Sequence, residues 1–291
     1  MKPSSIPDYH DDNKQSLLEK FLYPVRNINR KRLAKNVSNK TILITGASYG
    51  IGNLLAEILS DFETRLILVA RTEEKLELLQ QQFINKPCKI FTYCTDLRDE
   101  SQINYLIQNF KTNETAIDIF INNAGKSIHR GLINSLDRFH DTKRCTATNF
   151  TGPVQLLLGI LPEILAVKGQ IVNVSTLNSL LPPTAGWSAY QSSKVAFDQW
   201  LKCMEPELRI RKVMVSSVYL PLVRTRMSMV NEKNHKRPAM SKEKAAYAIL
   251  NCITYKKRKY RPWWTGVPLF LSALFPNLWY RLQVIYLRNK K

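Results

Sequence analysis

The stretch TILITGASYGIG, residues 41–52, decides the fold of this chain. An apolar run of strand length leads directly into three glycines, Gly46, Gly50 and Gly52, which open a helical pattern. Glycines at such a junction allow a tight turn and a close backbone approach to a pyrophosphate, and the N–H groups at the start of the helix favour the anion. The stretch therefore predicts a dinucleotide site. Its residues are Gly46, Ser48, Tyr49, Gly50, Ile51 and Gly52.

Apolar runs of strand length recur along the chain and are separated by amphipathic segments of helical period. Near-continuous hydrophobicity is typical of strands in a parallel sheet that is covered on both faces. Regular alternation of strands and helices predicts right-handed crossovers, and therefore an α/β fold with a doubly wound, Rossmann-like parallel sheet. The predicted strands are 41–45, 65–70, 89–95, 117–122, 170–176 and 212–220.

Composition divides the 291 residues into three parts. Residues 39–255 carry the predicted strands and are expected to form a single domain. Residues 1–38 are a basic N-terminal extension, and residues 256–291 are a basic, aromatic-rich tail. The five cysteines have no CxxC spacing, so we expect neither a disulfide scaffold nor a metal site. The N-terminus carries acids and no apolar signal-peptide core, which predicts a cytoplasmic protein.

The net charge of +20 is unevenly distributed. No Asp or Glu follows Glu243, and the tail contains KKRK at 256–259. Such patches attract nucleic acid, anionic lipid or a phosphate-bearing small molecule. The basic residues lack the interleaved aromatic platform of an RNA or single-strand binder, so no nucleic-acid partner is expected.

The tail segment 261–281 has no charge between its flanking arginines and contains three of the five tryptophans. Its length is near the ~20 residues of a membrane-spanning helix, but Pro262, Pro268 and Pro276 interrupt it. A helix lying in the headgroup plane fits better, with the tryptophans at the interface and the cations toward anionic lipid. Three alternatives stay open: a lid over the ligand pocket, an interface in a homo-oligomer, and a true span.

The end of the second predicted strand indicates which dinucleotide binds. NAD sites place an acid there to hold the ribose 2′-hydroxyl, whereas an arginine suits a 2′-phosphate. Here the strand ends at Ala70 and Arg71 follows. Because a guanidinium binds phosphate in bidentate fashion, Arg71 predicts NADPH/NADP rather than NADH.

Tyr190 and Lys194 in YQSSK are four residues apart on a predicted helix, so they share one face. A tyrosine normally titrates near pH ~10, which is too high for efficient proton exchange at neutral pH. A neighbouring ammonium would stabilise the phenolate and lower its pKa. The pair is therefore a candidate acid/base with its tuning cation, although aromatic–cation pairs at this spacing also occur on ordinary helices.

Taken in order, these motifs resemble the short-chain dehydrogenase/reductase family over roughly residues 38–255. The family implies an NADP-dependent oxidoreductase in which Tyr190 is the general acid/base, Tyr190 and Lys194 both face the nicotinamide ribose of the cofactor, which Lys194 holds, and Asn149 anchors a water that replenishes the proton. The motifs that carry the resemblance are TGASYGIG at 45–52, Asp96 in CTDL, NNAG at 122–125, Asn149 in ATNFTG, the hydroxyls in NVST, YQSSK at 190–194 and PLVRT at 221–225. The further cofactor contacts that it implies are Asp96 at the adenine, Leu97, Asn123, Ala124, Gly125, Val223 and Thr225.

Two departures from the family pattern bear on the site. Family members usually have two serines at the end of the fifth strand, the second of them thirteen residues before the tyrosine. Here the pair is Ser175–Thr176, and Thr176 lies fourteen residues before Tyr190. Counting from the strand gives Thr176 the substrate-orienting place, with Ser175 as the alternative. The second departure is PLVRT, at 221–225, where most relatives carry a proline–glycine pair.

The segments 122–141 and 219–227, which include SLDRFHD and PLVRT, resemble the bacterial fatty acyl-CoA reductase branch of the family. This resemblance implies NADPH-dependent reduction of a large apolar small molecule, a long-chain acyl thioester or a lipid carbonyl. Two alternatives stay open: a dehydrogenase of steroid-like or small ketones and alcohols, and a non-catalytic NADP-binding protein whose basic patches bind membrane or nucleic acid. Arg130 and Arg144 are either solvated charges or contacts for a CoA phosphate.

Overall fold

The structure is a computed structural model that describes residues 16–113, 116–230 and 234–289. Its centre is a sheet of seven parallel strands. The strands are β1 (Thr41–Thr45), β2 (Arg65–Ala70), β3 (Lys89–Cys94), β4 (Ile119–Asn122), β5 (Gln170–Thr176), β6 (Met214–Leu220) and β7 (Lys259–Tyr260). The helices are α1 (Leu17–Leu22), α2 (Arg30–Val37), α3 (Gly50–Ser60), α4 (Glu73–Gln82), α5 (Glu100–Thr112), α6 (Phe139–Thr146), α7 (Gly152–Ala166), α8 (Ser188–Ile210), α9 (Arg226–Met229), α10 (Lys242–Thr254), α11 (Gly266–Leu274) and α12 (Pro276–Arg288).

The order of the strands in the sheet is β3-β2-β1-β4-β5-β6-β7, and every neighbouring pair is parallel. The chain winds outward from β1 to β3, returns to the middle of the sheet, and then winds outward in the other direction from β4. The direction therefore changes between β1 and β4. In open α/β sheets, ligands bind at the carboxyl ends of the strands beside this point. The predicted doubly wound Rossmann-like sheet is confirmed.

Helices cover both faces of the sheet, which explains the nearly continuous apolar runs. Because alternate residues of a strand point to opposite faces, Ile42 and Ile44 pack into one apolar layer and Leu43 packs into the other. The first layer includes residues of α2, α3 and α10, and the second includes residues of α5, α7 and α8. All five residues of β1 are buried. The strand that leads into the glycine turn is therefore held on both sides.

Strand β7, which the apolar pattern did not predict, extends the sheet into the tail. It pairs with β6 through Ser217 and Val218. At two residues, one of them the lysine Lys259, it is too short and too basic to show a strand period. The predicted tail, residues 256–291, therefore contains the last strand of the sheet. The boundary at residue 255 remains a prediction from composition.

The described part of the N-terminal extension packs against the body. Leu33 and Val37 of α2 are fully buried in the first apolar layer. Glu19 of α1 is buried too, and its carboxylate accepts hydrogen bonds from the Arg224 guanidinium and from Ala239 N. Burial alone would raise the pKa of Glu19, but these hydrogen bonds lower it. Helix α1 is therefore tied to the loop that follows β6, while residues 1–15 lie outside the described part of the chain.

The tail folds as two short helices rather than one long one. Phe275 leaves the helical conformation immediately before Pro276, so α11 and α12 have 9 and 13 residues. Neither has a buried residue, and neither reaches the ~20 residues of a span. Among the residues that the structure describes, the helical run Phe139–Ala166 alone is long and apolar enough to cross a membrane, and its α7 part packs against the sheet.

Candidate active site

A cavity of about 1220 Å³ opens at the carboxyl ends of the strands, at the change of direction between β1 and β4. It brings together most residues that the sequence predicted, from segments almost two hundred residues apart. Gly52 and Asn149 are not part of the wall. The predicted residues that line the cavity are Gly46, Ser48, Tyr49, Gly50, Ile51, Arg71, Asp96, Leu97, Asn123, Ala124, Gly125, Ser175, Thr176, Tyr190, Lys194, Val223 and Thr225.

The glycine turn has the geometry that a closely approaching anion requires. Gly46 and Gly50 have φ angles of +69° and +61°, in the left-handed region that favours glycine. A Cβ atom at position 52 would lie 2.2 Å from Gly46 O, so Gly52 is needed for contact between helix and turn. Helix α3 has no side-chain cap at Tyr49 and no acid in its first turn. Its N-terminal N–H groups therefore face the cavity side of the turn without a competing carboxylate.

Thr45, which the sequence reasoning did not select, fastens β1 to β4 beneath this turn. Its hydroxyl oxygen accepts hydrogen bonds from Asn123 N and Ala124 N, both at 3.1 Å. The Asn123 side chain donates back to Thr45 O at 3.0 Å. Thr45 is the first residue of the motif TGASYGIG, so its place in this motif could have identified it from the sequence. The reciprocal bonds fix Asn123 and Ala124 beside the glycine turn.

Two further cations, Lys75 and Arg226, lie near Tyr49 of the glycine turn, in addition to the predicted Arg71. Arg71 lines the cavity, and the Tyr49 ring has Lys75 Nζ at 5.8 Å and Arg226 Cζ at 5.0 Å from its centroid. The sequence predicted Arg71 but neither Lys75 nor Arg226. Arg226 lies 155 residues further along the chain, so no local spacing connects it with Arg71. The basic environment is therefore wider than one residue.

Asp96 lines the cavity, but its carboxylate is engaged by a neighbour. Arg98 Nε lies 3.0 Å from both carboxylate oxygens. Burial would raise the pKa of Asp96, yet the hydrogen bonds from Arg98 lower it. The predicted contact between Asp96 and an adenine stays a prediction.

Tyr190 and Thr176 line the same cavity from two different elements. Thr176 ends β5, Tyr190 lies in the first turn of α8, and the Thr176 side chain is close enough to the phenol to affect its pKa. Burial raises the pKa of Tyr190, and the Thr176 hydroxyl opposes this rise. The direction differs from the lowering expected from Lys194, because removal from water outweighs the neighbouring groups. A raised pKa keeps the phenol protonated at neutral pH, which is the form that donates a proton.

Lys194 lies one turn further along α8 and is buried. Its Nζ donates to Val174 O at 3.2 Å. Burial lowers the pKa of Lys194 to about 8, and Asp198 partly opposes this effect. The ammonium is therefore held beside the cavity by the strand that carries Thr176, rather than by Tyr190.

The structure separates the two candidate hydroxyls at the end of β5. Successive residues of a strand point to opposite faces. Thr176 faces Tyr190, whereas Ser175 Oγ donates to Ser179 Oγ at 3.1 Å. This placement favours Thr176 as the substrate-orienting group.

Asn149 lies behind the cavity wall, in a π-helical turn between α6 and α7. Its Oδ1 accepts from Lys126 N at 2.7 Å, and its Nδ2 donates to Lys126 O and Ser193 Oγ, both at 2.8 Å. A Cβ atom at Gly125 would lie 3.4 Å from both Asn149 Oδ1 and Lys194 Nζ. Asn149 therefore joins the loop after β4 to α8, close to the ammonium. π-turns of this kind are frequent at functional sites.

The loop after β6 brings Val223 and Thr225 over the glycine turn. Val223 forms an isolated bridge with Met240, and the Thr225 methyl group lies 3.5 Å from where a Cβ of Gly50 would be. Arg224, between them, is bound by Glu19. Although PLVRT differs from the usual family sequence, its Arg224 forms an ion pair with Glu19 of the N-terminal segment, and this ion pair holds the loop at the cavity.

The family model for short chain dehydrogenase matches residues 40–236, more than half of the chain. The chain belongs to the short-chain dehydrogenase/reductase family. A curated relative from Acinetobacter baylyi named fatty acyl-CoA reductase is 37% identical to this chain, over 77% of this chain and 76% of the relative. A second protein of that name, from Mycobacterium tuberculosis, is 32% identical over 72% of each. The predicted family and the resemblance to this branch are confirmed, and the reductase is an oxidoreductase of this family.

Solved structures of the family agree with the fold. A metagenomic short-chain oxidoreductase in complex with NADP is 25% identical, with a TM-score of 0.64 over 75% of this chain and 92% of that one. A short-chain dehydrogenase from Sphingobium yanoikuyae in complex with NADPH has a TM-score of 0.69 over 85% and 95%, at 23% identity. At 23% identity, the second similarity shows a shared fold only.

The substrate side of the reductase cavity depends on a residue that the sequence reasoning missed. Gln191, next to Tyr190, is buried, and its Nε2 donates to Asn178 O at 2.7 Å. Its Oε1 accepts from Thr184 N at 3.0 Å. From outside, Gln283 of α12 accepts from Ala185 N at 2.7 Å. The loop 177–187, which carries the extra residue, is thus fixed from both sides.

Proposed function

We propose that this reductase uses NADPH to reduce the carbonyl group of a long-chain acyl thioester, with fatty acyl-CoA as the best candidate. The observation that carries the proposal is that Thr176, Tyr190 and Lys194 come together in the wall of one cavity of about 1220 Å³ that the glycine turn also lines. That volume is ample for a dinucleotide together with part of a long chain. The names of the two fatty acyl-CoA reductase relatives support the substrate class.

The residues present fit a bound NADPH. The turn at Gly46 and Gly50 would hold its pyrophosphate, and Arg71, with Arg226 nearby, would hold its 2′-phosphate. Lys194, whose Nζ reaches the cavity beside Gly125, would hold the nicotinamide ribose. NADPH bound there supplies a hydride to the carbonyl carbon.

The chain's own groups act on the carbonyl oxygen. Thr176 donates a hydrogen bond that orients the carbonyl, and Tyr190 donates the proton that the oxygen needs as negative charge develops on it. The product is a hemithioacetal. Its C–S bond then breaks, so that an aldehyde and a free thiol leave. Lys194 and Asn149 position the acid and connect it to the loop after β4, and Asn149 would anchor the water that restores the proton.

The wall of the substrate side is apolar and aromatic, with Leu181, Trp187, Leu222 and Trp264. Such a wall also suits a steroid-like ketone or another large ketone, which makes this the second candidate substrate class. The experiment that separates them follows NADPH oxidation with a panel of acyl-CoAs, fatty aldehydes, steroid ketones and small ketones. We expect turnover with long-chain acyl-CoA. Turnover of ketones alone would replace the proposed substrate, and no turnover of any carbonyl would overturn the reductase assignment.

We also propose that the tail docks peripherally on an anionic membrane surface. Both α11 and α12 leave large apolar side chains exposed, among them Phe270, Leu274 and Tyr286. The exposed residues Leu17 and Phe21 of α1 continue this surface. The surface is continuous because Trp263 donates to Phe21 O and its ring packs edge-on against the Phe21 ring, at 5.2 Å between centroids.

Charge complementarity selects lipid rather than another protein surface as the occupant. No carboxylate side chain follows Glu243 in the sequence, and KKRK at 256–259 leads into the exposed helices. Apolar side chains among cations, without acids, match a headgroup layer of anionic lipid. Trp279 and Gln283 also contact Pro183 O, both at 2.8 Å, so the membrane-facing helices lie against the substrate loop.

Co-sedimentation with vesicles tests this docking. We expect the full-length protein to bind phosphatidylglycerol-containing vesicles, to bind phosphatidylcholine vesicles less, and to be released by high salt. Replacing Phe270 and Leu274 with serine should weaken binding, whereas Leu78→Ser, at an exposed leucine of α4, should not. A stable dimer that the tail substitutions dissociate, without any vesicle binding, would show that the surface binds a second copy instead.

A further inference from the structure

A second cavity, of about 310 Å³, lies beside the main one and has no part in the reaction above. The two cavities share Ile128 in their walls. Between them, Arg130 N donates to Gly186 O at 2.8 Å and joins the loop after β4 to the substrate loop. The wall of the second cavity is partly apolar and partly polar, and its charged and hydroxyl-bearing residues are Arg130, Ser135, Arg138, Asp141, Thr142 and Ser188.

Asp141 gathers guanidinium groups at this cavity. Its buried carboxylate lies 2.8 Å from Arg130 Nε, 3.7 Å from Arg138 Nε and 4.0 Å from Arg144 Nη1. Burial would raise the pKa of Asp141, but Arg130 and its other cationic neighbours lower it, so the carboxylate stays ionised. Three arginines against one carboxylate leave two positive charges in excess.

One donor in this cluster lacks an acceptor. Arg138 Nε is buried and has no hydrogen-bond partner among the described residues, since 3.7 Å to Asp141 is too long for a hydrogen bond. A buried donor without a partner is costly unless a ligand or water supplies an acceptor. A phosphate group would supply acceptors and neutralise the excess charge, and guanidinium groups bind phosphate in bidentate fashion.

We propose that this second cavity, the Arg138 cavity, binds a phosphate group of coenzyme A while the acyl thioester lies in the main cavity. The inference rests on the proposed function, which supplies a phosphate-bearing substrate. Its position fits, because the loop after β4 runs along both cavities: Ile128 lines both of them, and Arg130 lines the second. The sequence left Arg130 and Arg144 open between solvated charges and phosphate contacts, and the structure adds Arg138 as the residue with the unpaired donor.

Calorimetry of CoA binding tests the site without turnover. The full-length protein is saturated with NADP⁺, so that CoA cannot enter the cofactor site. We expect the wild type to bind CoA and Arg138→Gln to bind it on the order of tenfold more weakly, since a charge-assisted hydrogen bond is lost. Arg211→Gln, at an exposed arginine just after α8, removes the same charge and should bind as the wild type does. Equal CoA affinity for wild type and Arg138→Gln, or no binding by either, would overturn the proposal.

Kinetics separate a phosphate contact from support of the loop. Acyl-CoA is compared with an N-acetylcysteamine thioester of the same acyl chain, which carries no phosphate. Arg138→Gln should raise the KM for acyl-CoA about tenfold and leave kcat and the KM for the small thioester unchanged. An equal rise for both thioesters would show a purely structural role and overturn the site. If neither thioester is reduced while CoA still binds through Arg138, the proposed reaction fails and the phosphate site stands. Should Arg138→Gln not fold, the second variant is Arg138→Lys, which keeps the charge but lacks the Nε donor, and the same weakening is expected.

Discussion

The two halves of the main cavity are built in different ways. On the cofactor side, one short turn supplies the geometry: Gly46 and Gly50 adopt left-handed backbone angles, and Thr45 ties β1 to β4 with two hydrogen bonds. On the substrate side, the loop 177–187 has turn hydrogen bonds of its own and is also held by residues from elsewhere. Gln191 holds it from within, and Gln283, 98 residues beyond Ala185, holds it from outside.

This difference shows which features a sequence can specify locally. At Gly46 and Gly52 the backbone leaves no room for a side chain, and both residues lie at fixed spacings within one strand–turn–helix unit. A sequence can therefore reveal them. The shape of the substrate side depends instead on where α12 and α1 come to rest. We therefore expect substitutions on the cofactor side to act on NADPH affinity. Substitutions on the substrate side should act on the KM of the acyl substrate.

The largest effect is expected where the halves meet, at Tyr190. Tyr190→Phe removes the proton donor and keeps the ring, so we expect kcat for acyl-CoA reduction to fall by a factor of about 10²–10⁴. The affinity for NADPH should stay within about twofold of wild type, because the Gly46 and Arg71 contacts are untouched. Steady-state rates and cofactor fluorescence titration measure the two effects. Tyr105→Phe, at an exposed tyrosine of α5, is the matched control and should behave as wild type.

A Tyr190→Phe protein that reduces acyl-CoA at the wild-type rate would remove Tyr190 from the mechanism. A loss of NADPH affinity as large as the loss of rate would instead place Tyr190 on the cofactor side of the comparison. The two quantities therefore have to be measured on the same preparation.

A smaller effect is expected from a change within the cofactor side. In Gly52→Ala, the new Cβ would lie 2.2 Å from Gly46 O, so the backbone of the turn must move. Overpacking of this kind costs ~1–3 kcal/mol, and we expect NADPH affinity to weaken by about tenfold or more. The control is Gly131→Ala, where an added Cβ meets nothing within 4 Å. Unchanged NADPH affinity in Gly52→Ala would show that the turn does not hold the pyrophosphate.

The same contrast explains how much of the molecule could be predicted from its sequence. Six of the seven strands follow from apolar runs. A strand such as β1, which is buried on both faces, has to be apolar throughout, and the edge strand β3 also has an apolar run although it is only partly buried. Strand β7 has two residues, and no periodicity can reveal so short a strand. Its position is set by pairing with Ser217 and Val218 of β6, a long-range contact.

The site residues likewise fall into those that local spacing reveals and those that depend on long-range contacts. The glycine turn, Arg71, Tyr190 and Lys194 could be placed from local spacing, and the structure brings them to one cavity. The spacing could not reveal Gln191, whose role depends on a loop that bends back over it. The direction of the pKa shift of Tyr190 was also beyond the sequence, because it depends on burial rather than on the distance to Lys194 along the chain.

The smallest effect is expected on the substrate side, at the contact between tail and loop. Gln283→Ala removes hydrogen bonds to Ala185 N and Pro183 O, which are exposed and therefore contribute little each. We expect the KM for long-chain acyl-CoA to rise about two- to fivefold, because the loop that borders the chain is less ordered, while NADPH affinity is unchanged. Gln108→Ala, at an exposed glutamine of α5, is the control. If Gln283→Ala also weakened NADPH binding, the cofactor side and the substrate side of the cavity would be coupled through the substrate loop. The two sides would then not be independent.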